Sequence, residues 1–374
     1  MARTALLIGG AGGTGVYIAQ GLRDKGFDVT ILHRGVHEPA EIADFPHIHA
    51  DPHFAEPMAE AVGSRTFDLV VATYGRIQAI APFFAGRCGQ FLAVGGIPVY
   101  AGFLDAGSVV PRGVPIGVRE DAPLAPARPE GGNPAAAFAG KIRAAEDVVM
   151  EQHGRGGYAA SIFRYPAVYG PRALLLTEWS IIKRIQDGRR FILLPNEGLT
   201  IFTRCAAANG ARTLLLAVDN PAAAGRVFNC ADEDQFSMAQ WTELTLRALG
   251  GDARIIGLPK AMSWAAGQFY AAGPTATDHG VVEARAAREV LGYTDAIPAR
   301  DALVEAVAWR VSNPPAADEA PTWPDKFDYA MEDEVLARLD RFNADCAEIA
   351  TQGLVAHPYA HPKESSLGTD HRGR

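Results

Sequence analysis

The 374-residue chain predicts an α/β fold, a doubly wound parallel sheet joined to a smaller, mainly helical C-terminal domain. Three observations predict it. Short apolar runs rich in Val, Ile and Leu alternate with helix-length stretches through the N-terminal half; a glycine-rich loop separates the first run from the first helical stretch; and beyond Gly170 strands become sparse while amphipathic helical patterns take over.

The strands are expected at Thr4–Ile8, Asp28–Leu32, Asp68–Ala72, Gln90–Val94, Ala159–Arg164 and Arg226–Cys230, with a short one around His47–His49. Helices are expected at Val16–Lys25 and Lys141–Gln152, then at Trp179–Asp187, Met238–Leu249, Gly280–Leu291, Asp301–Arg310 and near Glu332–Thr351. Residues 1–169 read as the first domain, with the strand near 226–230 returning to it. Residues 170–312 read as a discontinuous second domain and 313–374 as a C-terminal extension, entered through Pro314-Pro315 and closed by a polar tail with Pro358, Pro362 and Gly368.

Composition narrows the partners. Hydrophobic residues make up 48% and charged residues 21%, as in an ordinary globular enzyme. The net charge of −8 offers no basic surface for nucleic acid or anionic lipid. The N-terminal apolar run is too short for a signal peptide and no segment has the length of a membrane span, so a cytosolic location and a small-molecule ligand are expected. Cys88, Cys205, Cys230 and Cys346 lie far apart and read as reduced, mostly buried thiols.

The loop Gly9-Gly10-Ala11-Gly12-Gly13-Thr14-Gly15 spaces Gly9, Gly12 and Gly15 as GxxGxxG between a strand and a helix. The first glycine permits the tight turn, the second lets backbone approach a pyrophosphate, and the third lets helix and strand pack closely, with Gly13 and Thr14 at the helix N-terminus that faces the anion. This is a Rossmann dinucleotide site. The second strand ends Leu32-His33-Arg34-Gly35 without an acid for a ribose 2′-hydroxyl. Arg34 suits the 2′-phosphate of NADP(H), with His33 adding a hydrogen bond. Asp51 reads equally as an adenine contact or a loop cap. HxHxxxH at His47, His49 and His53 has no acidic ligand fixed by spacing, and no metal is expected. Asp232-Glu233-Asp234 reads as a solvated loop.

The glycine loop, the strand end Val29–Gly35, Arg164-Tyr165-Pro166-Ala167-Val168-Tyr169-Gly170-Pro171-Arg172, Gly225–Ala231 with Ser237-Met238, and Glu283–Tyr293 together resemble the extended short-chain dehydrogenase/reductase group of NAD-dependent epimerases and dehydratases, over roughly residues 4–310. The resemblance implies a seven-stranded parallel sheet, a cleft against the smaller domain, Arg164–Pro171 crossing into that cleft near the nicotinamide, and a homodimer, as is common among such relatives. It also implies a Tyr four residues before a Lys as proton carrier and ribose ligand, with a Ser or Thr after the fifth strand on the reacting oxygen.

Here the chain departs from the pattern. Counting from Lys141 puts Ala137 at the Tyr position, and counting from Val99-Tyr100 puts Gly96 at the Ser position. Lys141 is expected to keep the ribose role. Tyr100, Tyr165 and Tyr169 are the replacement acids available, Tyr100 and Tyr165 foremost, and Tyr165 also as a cofactor contact. Trp179, Phe191 and Phe202 suit an apolar substrate but read more simply as core. The expected function is an NADPH-dependent reductase of a carbonyl or activated carbon–carbon double bond. A catalytically inactive NADP(H) sensor, or an epimerase-like enzyme with a replaced base, stands as the alternative.

Overall fold

The computed structural model describes residues 3–36, 38–73, 75–269, 278–317 and 323–347. In order they form β1 (Arg3–Ile8), α1 (Gly13–Asp24), β2 (Phe27–His33), β3 (His47–His49), α2 (Ala55–Val62), β4 (Phe67–Ala72), α3 (Ile77–Phe83), β5 (Cys88–Gly96), α4 (Pro134–Gly154), β6 (Ala159–Tyr165), β7 (Ala167–Tyr169), α5 (Thr177–Gln186), β8 (Phe191–Leu194), β9 (Arg204–Ala206), α6 (Ala207–Leu215), β10 (Arg226–Asn229), α7 (Met238–Leu249), β11 (Arg254–Gly257), α8 (Arg285–Leu291), α9 (Ala299–Ser312) and α10 (Tyr329–Ala347).

Seven strands pair in the order β3-β2-β1-β4-β5-β6-β10, every pair parallel. Strand order reverses beside β1, the crevice position where doubly wound sheets bind ligands. The pleat explains why β1 reads as an unbroken apolar run. Ala5 and Leu7 enter one core with Val16, Ile18 and Leu22 of α1, while Leu6 and Ile8 enter the opposite core with Met58, Ile80 and Phe84. Both faces are therefore covered, and β10 returns to the sheet edge beside β6 from beyond α6.

Two small parallel pairs, β7 with β9 and β8 with β11, accompany α5, α7 and α9 around Tyr169, Trp179, Ile182, Trp241, Leu303 and Val307. Trp179 belongs to this core. α7 begins and ends where its sequence says: Ser237 and Gln240 form a reciprocal capping box, and Gly250 closes the helix in the left-handed conformation.

The helix expected over Gly280–Leu291 is shorter. Gly280 and Val282 bridge Phe202 and Val118, and only Arg285–Leu291 is helical. Gly280 lies so close to Phe103 and Phe202 that a Cβ there would come within 2.8 and 2.9 Å of them, so this segment serves as a packed, extended link.

The chain divides between Phe327 and Asp328 into two compact units. The described part of the second is α10, with an i,i+4 pair of Arg338 and Glu334. The tail from 348, with its prolines, lies outside the described residues. Among the described residues no helix is long and apolar enough to cross a membrane.

Candidate dinucleotide site

The glycine loop has the tight turn and the close helix–strand packing expected of it. Gly9 and Gly10 have φ of 114° and 88°, and the Gly9 N–H donates to Leu32 O at 2.9 Å, tying the turn to β2. A Cβ on Gly15 would lie 2.4 Å from the Gly10 backbone, whereas a Cβ on Gly12 would meet nothing within 4 Å. Gly15 is thus a packing glycine and Gly12 a clearance glycine. Gly12 also caps α1 without a side-chain hydrogen bond, and the first turn holds no acid. The helix N-terminus around Gly13 and Thr14 is electrostatically ready for an anion, so these residues fit a pyrophosphate.

At the adenosine end the structure corrects His33. Its ring is buried rather than facing a ligand: Nδ1 accepts from the Gly35 N–H at 3.0 Å, and Nε2 lies 2.7 Å from His47 Nδ1. Arg34, the residue after β2, is exposed. Asp51 accepts from the backbone and ring nitrogens of His53 at 3.0 and 2.9 Å. These bonds, and Arg34 nearby, hold its carboxyl below the usual range. Asp51 is engaged as a loop cap.

The structure also corrects the register of α4. Ile142, and not Lys141, faces the end of β5: a Cβ on Gly96 would meet Ile142 Cδ1 at 3.6 Å, and one on Gly95 would meet Glu146 Oε1 at 2.9 Å. Residues four apart share a helix face, so Ile142 and the buried Glu146 form the pair toward the sheet, while Phe138, one turn earlier in the same row, is 54% exposed. Lys141 falls on another stripe. With Ala137, Ala144 and Val148 it lines a pocket of about 550 Å³ together with Gln78 and Arg128. The spacing Tyr-x-x-x-Lys therefore falls on Phe138 and Ile142, which offer neither hydroxyl nor ammonium.

Tyr100 and Tyr165 are corrected too. Tyr100 is 1% exposed, and its hydroxyl donates to Asn229 Oδ1 at 2.7 Å while accepting from Arg164 Nη1 at 2.9 Å. Burial pushes its pKa up to about 12. Tyr165 donates to Gly210 O at 2.8 Å from a buried position, and burial raises its pKa. Both protons are committed to the core, so neither tyrosine is presented to a ligand. Tyr169 donates to Asp232 Oδ2 at 2.8 Å.

One feature went unread in the sequence, and a second was read wrongly. Arg164, 2% exposed, is gripped by Glu146 through Nε at 3.0 Å and Nη2 at 2.7 Å, and also reaches Glu120 O. The signal for it was a Glu on the sheet-facing stripe of α4. Asp232 is buried rather than solvated, holding the Ala206 N–H and Asn209 Nδ2 at 2.8 and 2.7 Å. Desolvation raises its pKa to about 6.

No family model matches the sequence, and no curated protein matches it. In three dimensions the chain is similar to a nucleoside-diphosphate-sugar epimerase from Pseudomonas aeruginosa, at 20% identity over 83% of this chain and 98% of that one, with a TM-score of 0.62. It is similar also to UDP-glucuronic acid 4-epimerase from Bacillus cereus, solved with UDP-glucuronic acid and NAD, at 16% identity over 83% and 99% and a TM-score of 0.62. A third is dTDP-glucose 4,6-dehydratase from Bacillus anthracis, solved with NAD, at 14% identity over 83% and 97% and a TM-score of 0.61. The chain shares their fold. That is the Rossmann architecture the sequence resemblance implied, down to the seven-stranded sheet.

Proposed function

We propose that the chain is an NADP(H)-binding protein that has kept the dinucleotide loop and lost the proton chemistry of a dehydrogenase. One observation carries the reading: at the end of β5, where the family pattern has a hydroxyl, the residue is Gly96, the residue of α4 that comes against it is Ile142 in place of an ammonium, and the position four before Ile142 is Phe138 in place of a phenol. Among the described residues at this position no side chain offers an alcohol or ketone an acid or base, or the nicotinamide ribose an ammonium. Lys141 lies on another stripe, and Arg164, Tyr165 and Tyr169 are held in the interior.

A second reading rests on the same missing acid at Gly96, Phe138 and Ile142, which conjugate reduction tolerates. A bound NADPH supplies hydride, and an electron-poor double bond that accepts it at the β-carbon needs no strong acid in the same step. Fluorescence titration of NADPH and NADH, followed by a panel of ketones and enones with loss of reduced-nicotinamide absorbance, separates the two. Tight NADPH binding without turnover supports the binding protein. Turnover of an enone supports the reductase. Arg34→Ala is expected to weaken NADPH about 10- to 100-fold, the worth of a charge-assisted hydrogen bond, and to leave NADH unchanged. Equal affinity of the unaltered chain for both dinucleotides refutes the 2′-phosphate role.

A further inference from the structure

We propose that His47, His49 and Glu38 form a binding site for a divalent first-row transition ion of the zinc class, with His33 as its supporting hydrogen-bond donor. The sequence spacing pointed to His53 as third member. The structure replaces it with His33, because parallel pairing of β2 and β3 sets His33 opposite His49, and the pleat puts His33, His47 and His49 on one face. Their rings stand 4.9 to 6.1 Å apart. The turn after β2 returns Glu38 to the group, and the donor atoms of all four side chains lie within 4.8 Å of one another.

Hydrogen bonding assigns the roles. His47 Nε2 lies 3.0 Å from Ile42 O, which can only accept, so the proton sits on Nε2 and Nδ1 presents its lone pair to the centre. A carbonyl behind a metal-binding imidazole is the support such ligands use. His33 differs. Its Nδ1 accepts from the Gly35 N–H, so its proton is on Nε2, aimed at His47 Nδ1. His33 is therefore a donor and not a ligand. An ion takes the His47 lone pair only as the His33 ring swings aside, which carries its Nε2–H from His47 Nδ1, now 2.7 Å away, to the Glu38 carboxylate, now 3.7 Å away.

His49 Nε2 and Glu38 Oε1, now 2.7 Å apart, part to about 3.3 Å around a tetrahedral ion. Both side chains are partly exposed and free to make this adjustment, at 57% and 38%, which leaves the fourth position open to solvent. Two imidazoles and one carboxylate select Zn²⁺, Co²⁺ or Ni²⁺ over Mg²⁺ or Ca²⁺, which prefer all-oxygen shells.

The test is titration of the chelator-stripped full chain with Co²⁺, read by ligand-field absorption and by displacement with Zn²⁺. One site is expected that weakens at least tenfold in His49→Ala and in Glu38→Gln and is unchanged in His53→Ala. Far-ultraviolet circular dichroism confirms that the variants fold, since the removed groups are the half-exposed ones. His357, His361 and His371 of the tail are an independent source of binding, so the comparison of variants decides. Absence of Co²⁺ bands at millimolar metal, or equal affinity in the unaltered, His49→Ala and Glu38→Gln chains, overturns the proposal.

Discussion

Glu146 offers the sharpest test of how α4 is set against the sheet. Arg164 and Glu146 are 2% and 7% exposed at the side chain, joined at 2.7 Å, and the remaining guanidinium protons go to Tyr100 and Glu120 O. Glu146→Ala leaves that cation buried with two neutral acceptors. Removing one partner of a buried pair costs about 3–5 kcal/mol. Arg164→Met removes the charge but strands Glu146 and the Tyr100 oxygen, at a similar cost. The double variant buries no charge and loses only hydrogen bonds, about 1–3 kcal/mol in all, so a coupling of at least about 2 kcal/mol is expected. Denaturant unfolding followed by tryptophan fluorescence suits the measurement, because all five tryptophans precede Phe327 and report one unit. The coupling should persist in high salt, since water does not screen a buried pair. Additive losses would refute the argument, and with it the placement of Ile142 against Gly96.

The glycine roles separate by substitution. Gly12→Ala, with nothing within 4 Å of the new Cβ, should keep the melting temperature and weaken NADPH binding at least tenfold, whereas Gly15→Ala, 2.4 Å from the Gly10 backbone, should lower the melting temperature as well. Asp232 titrates near 6 when folded against 3.8 ordinarily. Because its folded pKa is raised, the stability it contributes is full below about 4 and is lost as pH rises through 6, on the order of 3 kcal/mol. Asp232→Asn should thus gain on the unaltered chain between pH 4 and 7 in thermal melts, and a pH-independent difference would remove the argument. Tyr100→Phe should cost about 1–3 kcal/mol through the unpaired Asn229 and Arg164 groups while leaving NADPH affinity, measured by titration, unchanged.

The long elements were legible because burial imposes a period on them. The β1 and β2 runs are apolar on both faces, α7 carries its own stop and start, and even β3 was marked by alternation at His47 and His49. Elements without such a signature were missed. α3 contains Pro82 and α2 spans eight residues, so neither develops a readable stripe. The pairs β7–β9 and β8–β11 join three- or four-residue strands that are far apart in sequence, and their strand character comes from the partner rather than from local propensity.

The site was legible where backbone conformation dictates residue type and illegible where only a facing decides. Gly9, Gly12 and Gly15 each answer a steric requirement that the sequence displays. Lys141 and Ile142 are neighbours, and which of them looks at Gly96 depends on the rotation of α4, set by Glu146 reaching Arg164 across 18 residues of sequence. That ion pair also separates scaffold from chemistry. Glu146, Arg164, Tyr100 and Asn229 hold α4, β5, β6 and β10 together in one buried network, and a chain can retain all four while the positions one turn or one residue away become apolar. A motif such as Arg164–Arg172 therefore testifies to the fold more strongly than to catalysis. The groups that must meet a ligand are the ones that packing leaves free to change.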